Sequence, residues 1–132
     1  MKAVILSLKP EWWEKMLSGE KTLEIRKSAP HCPAPTEAWP LLVLVYVSGT
    51  GAVQGQFTCP CCIKNDPCVL LARQSCVPES DLRKYAGGKS LCGWIVKEVQ
   101  KYDAPRPLAE FGLARPPMSW QYIEIPDRAE GK

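Results

Sequence analysis

The sequence holds a single histidine, His31, and no apolar run longer than the seven residues Leu41 to Val47. A membrane-spanning helix needs about 20 consecutive apolar residues, so no helical span is expected. The start, Met1-Lys2-Ala3-Val4-Ile5-Leu6-Ser7-Leu8, gives six apolar positions before Lys9-Pro10. That is too few for the core and cleavage site of a secretion signal. No repeat occurs at any period, which excludes solenoids and propellers. A lone histidine beside Cys32 in an extended loop makes a poor Cys-His catalytic pair, because adjacent side chains of an extended chain point apart. His31 reads as loop surface.

Charge of one sign is also scarce. The net charge is +3 over 132 residues, with 45% hydrophobic and 23% charged positions. These are globular proportions for one domain, read as residues 1–126 followed by a frayed, charged tail at 127–132. The positive balance leans towards anionic partners such as nucleotides or RNA, and is thinner than that of proteins that coat long duplexes.

Seven cysteines, Cys32, Cys59, Cys61, Cys62, Cys68, Cys76 and Cys92, are an odd set in a chain that shows no secretion signal. They predict reduced thiols and a cytoplasmic protein. Their spacing from Cys59, C-x-C-C-x5-C-x7-C, lacks the two separated C-x-x-C knuckles of a zinc ribbon. No metal and no cofactor is assigned.

The pattern predicts a buried strand over 3–8, and a short helix from Pro10 with Trp12, Trp13, Met16 and Leu17 as its apolar stripe and Gly19 as its stop. From Lys21 the period becomes two, with Leu23 and Ile25 on one face and Thr22, Glu24 and Arg26 on the other. Pro30, Pro33, Pro35 and Pro40 make 28–40 a loop. Leu41 to Val47 and Ala52 to Thr58 form a hairpin about Ser48-Gly49-Thr50-Gly51, and 59–77 reads as irregular. A second helix runs from Glu79 to the Gly87-Gly88 stop, one strand covers Leu91 to Tyr102, a proline-marked crossover spans Ala104 to Pro117, and a last strand starts at Trp120. The expected fold is α+β: a mixed β pseudo-barrel with two short helices, although a sheet covered on one face fits the same pattern.

Lys21, Glu24 and Arg26 bring an ammonium, a carboxylate and a guanidinium to one helix-strand corner. Arg26 suits a phosphate, Glu24 a proton transfer, and Lys21 a developing negative charge. By composition alone a solvated salt-bridge cluster is the better fit, since such pairs are common and individually weak, and it is the family resemblance below that favours a site. Among the tryptophans, Trp13 and Trp94 read as core, whereas Trp120 and Ser119 follow Pro116-Pro117 at the mouth of the last strand and are placed in the same cleft as Lys21.

Lys9-Pro10, the tryptophan-bearing helix and Gly19-Glu20-Lys21-Thr22-Leu23-Glu24-Ile25-Arg26 resemble the G-x-K-x-x-E-x-R signature of the ASCH domain, a PUA-related family. The likeness extends to Gly55-Gln56-Phe57, to Leu82 through Gly88, to Gly93-Trp94-Ile95 and to Pro116-Pro117-Met118-Ser119-Trp120. The resemblance implies a PUA-like fold and a cleft beside the motif that faces RNA or a nucleotide-like ligand, with Lys9, Lys21, Glu24, Arg26, Ser119 and Trp120 around it. Some ASCH proteins are ribonucleases, and one subgroup is an amidohydrolase of acetylated cytidine whose threonine nucleophile stands at the place of Glu24. A glutamate does not take over that step, and Thr22 sits two places early. Two classes therefore stay open: a binding module, or a hydrolase in which Glu24 moves the proton and Lys21 stabilises charge.

Overall fold

The computed structural model describes residues 2–30, 40–65 and 68–125. His31, Cys32 and Trp39 in the proline loop, and the tail from 126, lie outside the described residues. Strand β1 (Lys2–Leu8) runs parallel to β3 (Leu41–Val47), and their connection carries helix α1 (Pro10–Ser18) and the short strand β2 (Leu23–Arg26). Strand β4 (Ala52–Cys59) returns antiparallel to β3 through a turn in which Gly49 and Gly51 take φ of 88° and 75°. There follow β5 (Cys62–Asn65), α2 (Cys68–Ser75), α3 (Glu79–Ala86), β6 (Leu91–Ile95), β7 (Lys97–Pro107), a 3-10 turn (Leu108–Phe111) and β8 (Trp120–Glu124).

Two sheets result, one of five strands in the order β7-β4-β3-β1-β8 and one of three in the order β2-β6-β5. They face each other without closing a barrel. Val4, Leu6, Leu8, Val43, Val45, Val47 and Phe57 meet Trp13 and Met16 of α1 and Trp94 of β6 in the core between them. The opposite face of the large sheet buries Ala3, Ile5, Leu44, Tyr46, Val53 and Ile123, against which Leu108, Phe111 and Leu113 pack. Strands β1 and β3 are thus covered on both faces, which is why their sequences are continuously apolar rather than alternating. A third cluster, Leu23, Ile25, Leu82 and Leu91, joins the outer face of the small sheet to α3.

Three expectations need correction. The chain has three α-helices among the described residues, not two, because 59–77 contains β5 and α2. Cysteine there marks a small apolar residue, not a loop former, and Val-Leu-Leu-Ala is good helical material. The single strand over Leu91 to Tyr102 is two strands in different sheets, broken at Val96, and Glu98, with a φ of 51°, sits at an irregularity within β7 where its pairing with β4 shifts register. The crossover begins later than Ala104, since β7 continues to Pro107. As expected, α1 ends at Gly19 with φ 87° and α3 at Gly87 with φ 59°, each in the left-handed conformation that glycine adopts without a Cβ penalty.

Gly55 of β4 lets α1 lie close against the large sheet where β4 pairs with β7. A Cβ there would run into the Gln100 carbonyl oxygen and lie 2.6 Å from the Trp13 ring. Gly93, by contrast, faces only the Leu23 side chain, at 3.1 Å. Gly55→Ala is expected to lower stability by about 1–3 kcal/mol or more, as overpacking against backbone does. Gly93→Ala should cost less, because a leucine side chain can yield. Urea denaturation of the two variants tests the order, and a Gly55→Ala protein as stable as the wild type would disprove the contact.

Candidate functional site

The Gly19 stop turns the chain directly into β2. At this corner Lys21 N–H donates to Lys15 O at 3.0 Å and Thr22 N–H to Gln74 O at 2.9 Å, which fixes Lys21 between α1 and the end of α2. Alternation along β2 then sends Leu23 and Ile25 to α3, and Glu24 and Arg26 to the other side, as the period of two predicts. That side is not solvated. Lys21 is 2% exposed and Glu24 5% exposed.

The charged groups form a chain. Lys21 Nζ lies 3.3 Å from Glu24 Oε1, and Arg26 Nε donates to Glu24 Oε2 at 2.7 Å. The ammonium also donates to Ser75 O, at the C-terminal end of α2, at 2.6 Å, and it stands 5.0 Å from the Trp12 ring centroid. A cation is favoured there by the helix dipole and by the aromatic face. Burial pushes the Lys21 pKa below its ordinary value, with the charge and hydrogen bond of Glu24 opposing and the charge of Arg26 assisting.

Arg26 is spent on protein acceptors. Its Nη2 donates to Ser7 O at 2.6 Å and its Nη1 to Ser119 Oγ at 3.0 Å, so each guanidinium nitrogen has a partner. The same junction is tied by Ser7 N–H to Ser119 O at 2.9 Å and by Ser7 Oγ to Pro117 O at 2.6 Å. Arg26 is in effect a bracket joining β1, β2 and the entry to β8.

A cavity of about 460 Å³ opens over this chain, lined by Ser7, Lys9, Trp12, Lys21, Glu24, Ile25, Arg26, Ser48, Val77, Asp81, Leu82, Tyr85 and Met118. Four of the six residues singled out in the sequence, Lys9, Lys21, Glu24 and Arg26, line it. Ser119 reaches it only through Arg26. Trp120 lies beside it: its ring is edge-on to Trp94 at 5.5 Å and its Nε1–H donates to Ser28 Oγ at 3.0 Å. Sequence reasoning passed over Asp81, Tyr85 and Met118. For the first two a signal existed, since Asp81, Leu82 and Tyr85 share one helical face and Leu82 is apolar. Thr22 is exposed and does not line the cavity.

No group of three His, Cys, Asp or Glu side chains among the described residues is placed to hold a metal. The Cys59 and Cys62 sulfurs are 3.8 Å apart, and the hydrogen bond with Cys59, followed by burial, pushes the Cys62 thiol pKa up. The Cys68 side chain lies outside the described residues.

Glu24 is the shared counter-ion of a buried ammonium and a half-buried guanidinium, so Glu24→Gln leaves both without it. The expected loss is about 3–5 kcal/mol, the usual consequence of removing one partner of a buried pair. Thermal and urea unfolding measure it, and a loss below about 1 kcal/mol, the range of exposed pairs, would contradict the burial described above.

No protein-family model matches the sequence, and no curated protein matches it. Among solved structures the chain is similar to the ASCH protein of Zymomonas mobilis, with a TM-score of 0.74 and 21% identity over 92% of this chain and 87% of that one. Two point variants of that protein align similarly, at a TM-score of 0.73 and 20% identity over 92% and 88%, and at 0.72 and 21% over 94% and 91%. No helix among the described residues is long and apolar enough to cross a membrane. At this identity the likeness speaks for architecture alone: the chain has an α+β fold of two facing sheets similar to that of the Zymomonas mobilis ASCH protein.

Proposed function

We propose that the chain is an RNA- or nucleotide-binding protein that takes its ligand into the cavity over Lys21, Glu24 and Arg26. The observation that carries the reading is the pairing of aromatic walls with cations at one opening. Trp12 and Tyr85 line the cavity, Lys21 Nζ lies 5.0 Å from the Trp12 centroid, and Lys27 Nζ lies 4.9 Å from that of Tyr85. Lys9 adds an exposed ammonium at the rim. A base that stacks on an aromatic face then finds a positive charge next to it for its phosphate, which is how single-stranded nucleic acid is held without reading its sequence. The net charge of +3 has the matching sign.

Because Arg26 is engaged by Ser7, Ser119 and Glu24, the phosphate partners in this reading are the rim lysines rather than the guanidinium. Binding of a short single-stranded oligoribonucleotide, followed by fluorescence anisotropy, is expected to weaken as salt rises. Lys9→Ala and Lys27→Ala should each flatten that salt dependence while leaving the fold intact. Trp12→Ala should weaken binding by about 1–3 kcal/mol through loss of stacking. Affinity that ignores salt and all three changes would remove this cavity from the reading.

The hydrolase alternative rests on the place of Lys21, an amine in the cavity lining that is almost fully buried, where burial disfavours its charged form. In this alternative Lys21 sheds its proton as the pH rises and then serves as the base, while Glu24 stays paired with Arg26. Turnover of single-stranded RNA or of acetylated cytidine would then rise with pH as Lys21 loses its proton, through a pKa lying below 10.5. Lys21→Arg, which stays protonated, would abolish it. A wild-type protein that binds but cleaves neither substrate between neutral and alkaline pH leaves the binding module alone standing.

A further inference from the structure

Met118 is 103% exposed, although both of its neighbours are anchored. On one side Pro117 is buried and its carbonyl accepts the Ser7 hydroxyl at 2.6 Å. On the other, Ser119 O accepts the Ser7 N–H at 2.9 Å, and Ser119 Oγ accepts from Arg26 at 3.0 Å. A single exposed apolar side chain is ordinary and needs no explanation by itself. An apolar side chain held out by fixed backbone on either side, at the edge of a cavity whose other walls include Trp12 and Tyr85, is a different matter. Its exposure does not come from a loose loop, and folding gains nothing from placing it there.

Resting on the binding function proposed above, we infer that Met118 is a ligand-contacting residue whose thioether closes over the planar heteroaromatic ring of a nucleotide in the cavity. A thioether suits the task. It is flexible at three bonds, polarisable, and packs favourably on aromatic rings of varied outline. Ser7 and Arg26 are positioning residues in this arrangement, since they hold the carbonyls and the hydroxyl that flank Met118 and do not need to touch the ligand. The cavity therefore favours ligands that present a flat ring with an anionic group, and discriminates weakly among rings of similar size.

The test uses the intact chain with two probes, a pyrimidine nucleoside monophosphate and a short single-stranded oligoribonucleotide. Met118→Ala is expected to melt as the wild type does but to bind about three- to ten-fold more weakly, with Met118→Leu recovering most of the loss. A footprint gives an independent reading. Hydrogen peroxide transfers one oxygen to the exposed thioether and leaves water, and the rate at Met118 is followed by peptide mass spectrometry against Met16, which is buried and serves as the slow reference. Saturating probe should slow oxidation at Met118 several-fold. If the wild type binds, yet Met118→Ala binds equally well and Met118 oxidises at an unchanged rate, the inference is overturned and the binding function stands. If neither probe binds the wild type, both fall. Should Met118→Ala prove less stable than expected, the footprint on the unaltered chain still decides.

Discussion

Three ionisable side chains that water hardly reaches organise this domain. Removing any one of Lys21, Glu24 and Arg26 from water alone would be costly, and a pair taken out of water seldom recovers the full cost from its own attraction. Here the carboxylate serves two cations at once, and the remaining donors go to the carbonyls of Ser75 and Ser7 and to the Ser119 hydroxyl. Those acceptors belong to the end of α2, to β1 and to the approach to β8. The ion chain is therefore a set of tethers as well as a charge cluster, linking the small sheet to the large one on the side where the apolar core does not close. The three charged side chains form part of the cavity wall.

The position of the cavity follows from the topology. Strands β1 and β3 are parallel, so Ser7, Lys9 and Ser48 gather at their shared C-terminal ends, and α1 leaves from that same end. The crossover that a parallel pair requires contains β2 as well as α1, which carries the motif back across the opening. Gly55 allows Trp13 to lie against β4 beneath, so that the adjacent Trp12 is left to face Lys21. One helix thus supplies a core tryptophan and a cavity tryptophan at neighbouring positions.

Much of this was legible in the sequence where local chemistry decides structure. The Gly19 and Gly87 stops, the run from Leu41 to Val47 and the alternation of Leu23, Glu24, Ile25 and Arg26 each carry a local signal, and each element formed. What was not legible depended on packing. Nothing in Ile95-Val96-Lys97 announces that the chain changes sheets there, because an apolar run reads the same whether it pairs within one sheet or passes between two. Cysteine spacing drew attention away from the helix at Cys68–Ser75, whose end supplies the carbonyl for Lys21. Burial of Glu24 was equally hidden, since a charged residue alternating along a strand looks the same whether its face meets water or a second sheet. Tyr85 and Asp81 needed only the helical spacing to be followed from Leu82, whereas Met118 had no sequence signal beyond its place after two prolines.

The satisfaction of Arg26 changes how the motif is to be understood. An arginine near a cavity invites a bidentate phosphate, but a guanidinium whose nitrogens already hold Glu24, Ser7 and Ser119 would have to give up charge-assisted bonds to accept one. One of these bonds holds Ser119, next to Met118, and another holds Ser7, which is itself bonded to Pro117 and Ser119, so such an exchange would loosen that wall of the cavity. In the binding function proposed above, recognition by exposed lysines and ring faces avoids the conflict, because it draws on Lys9 and the aromatic walls and leaves the bonds of Arg26 in place. On this account the buried part of the motif fixes the shape of the cavity and its rim supplies the affinity, which separates residues whose loss unfolds the domain from those whose loss leaves it folded and empty.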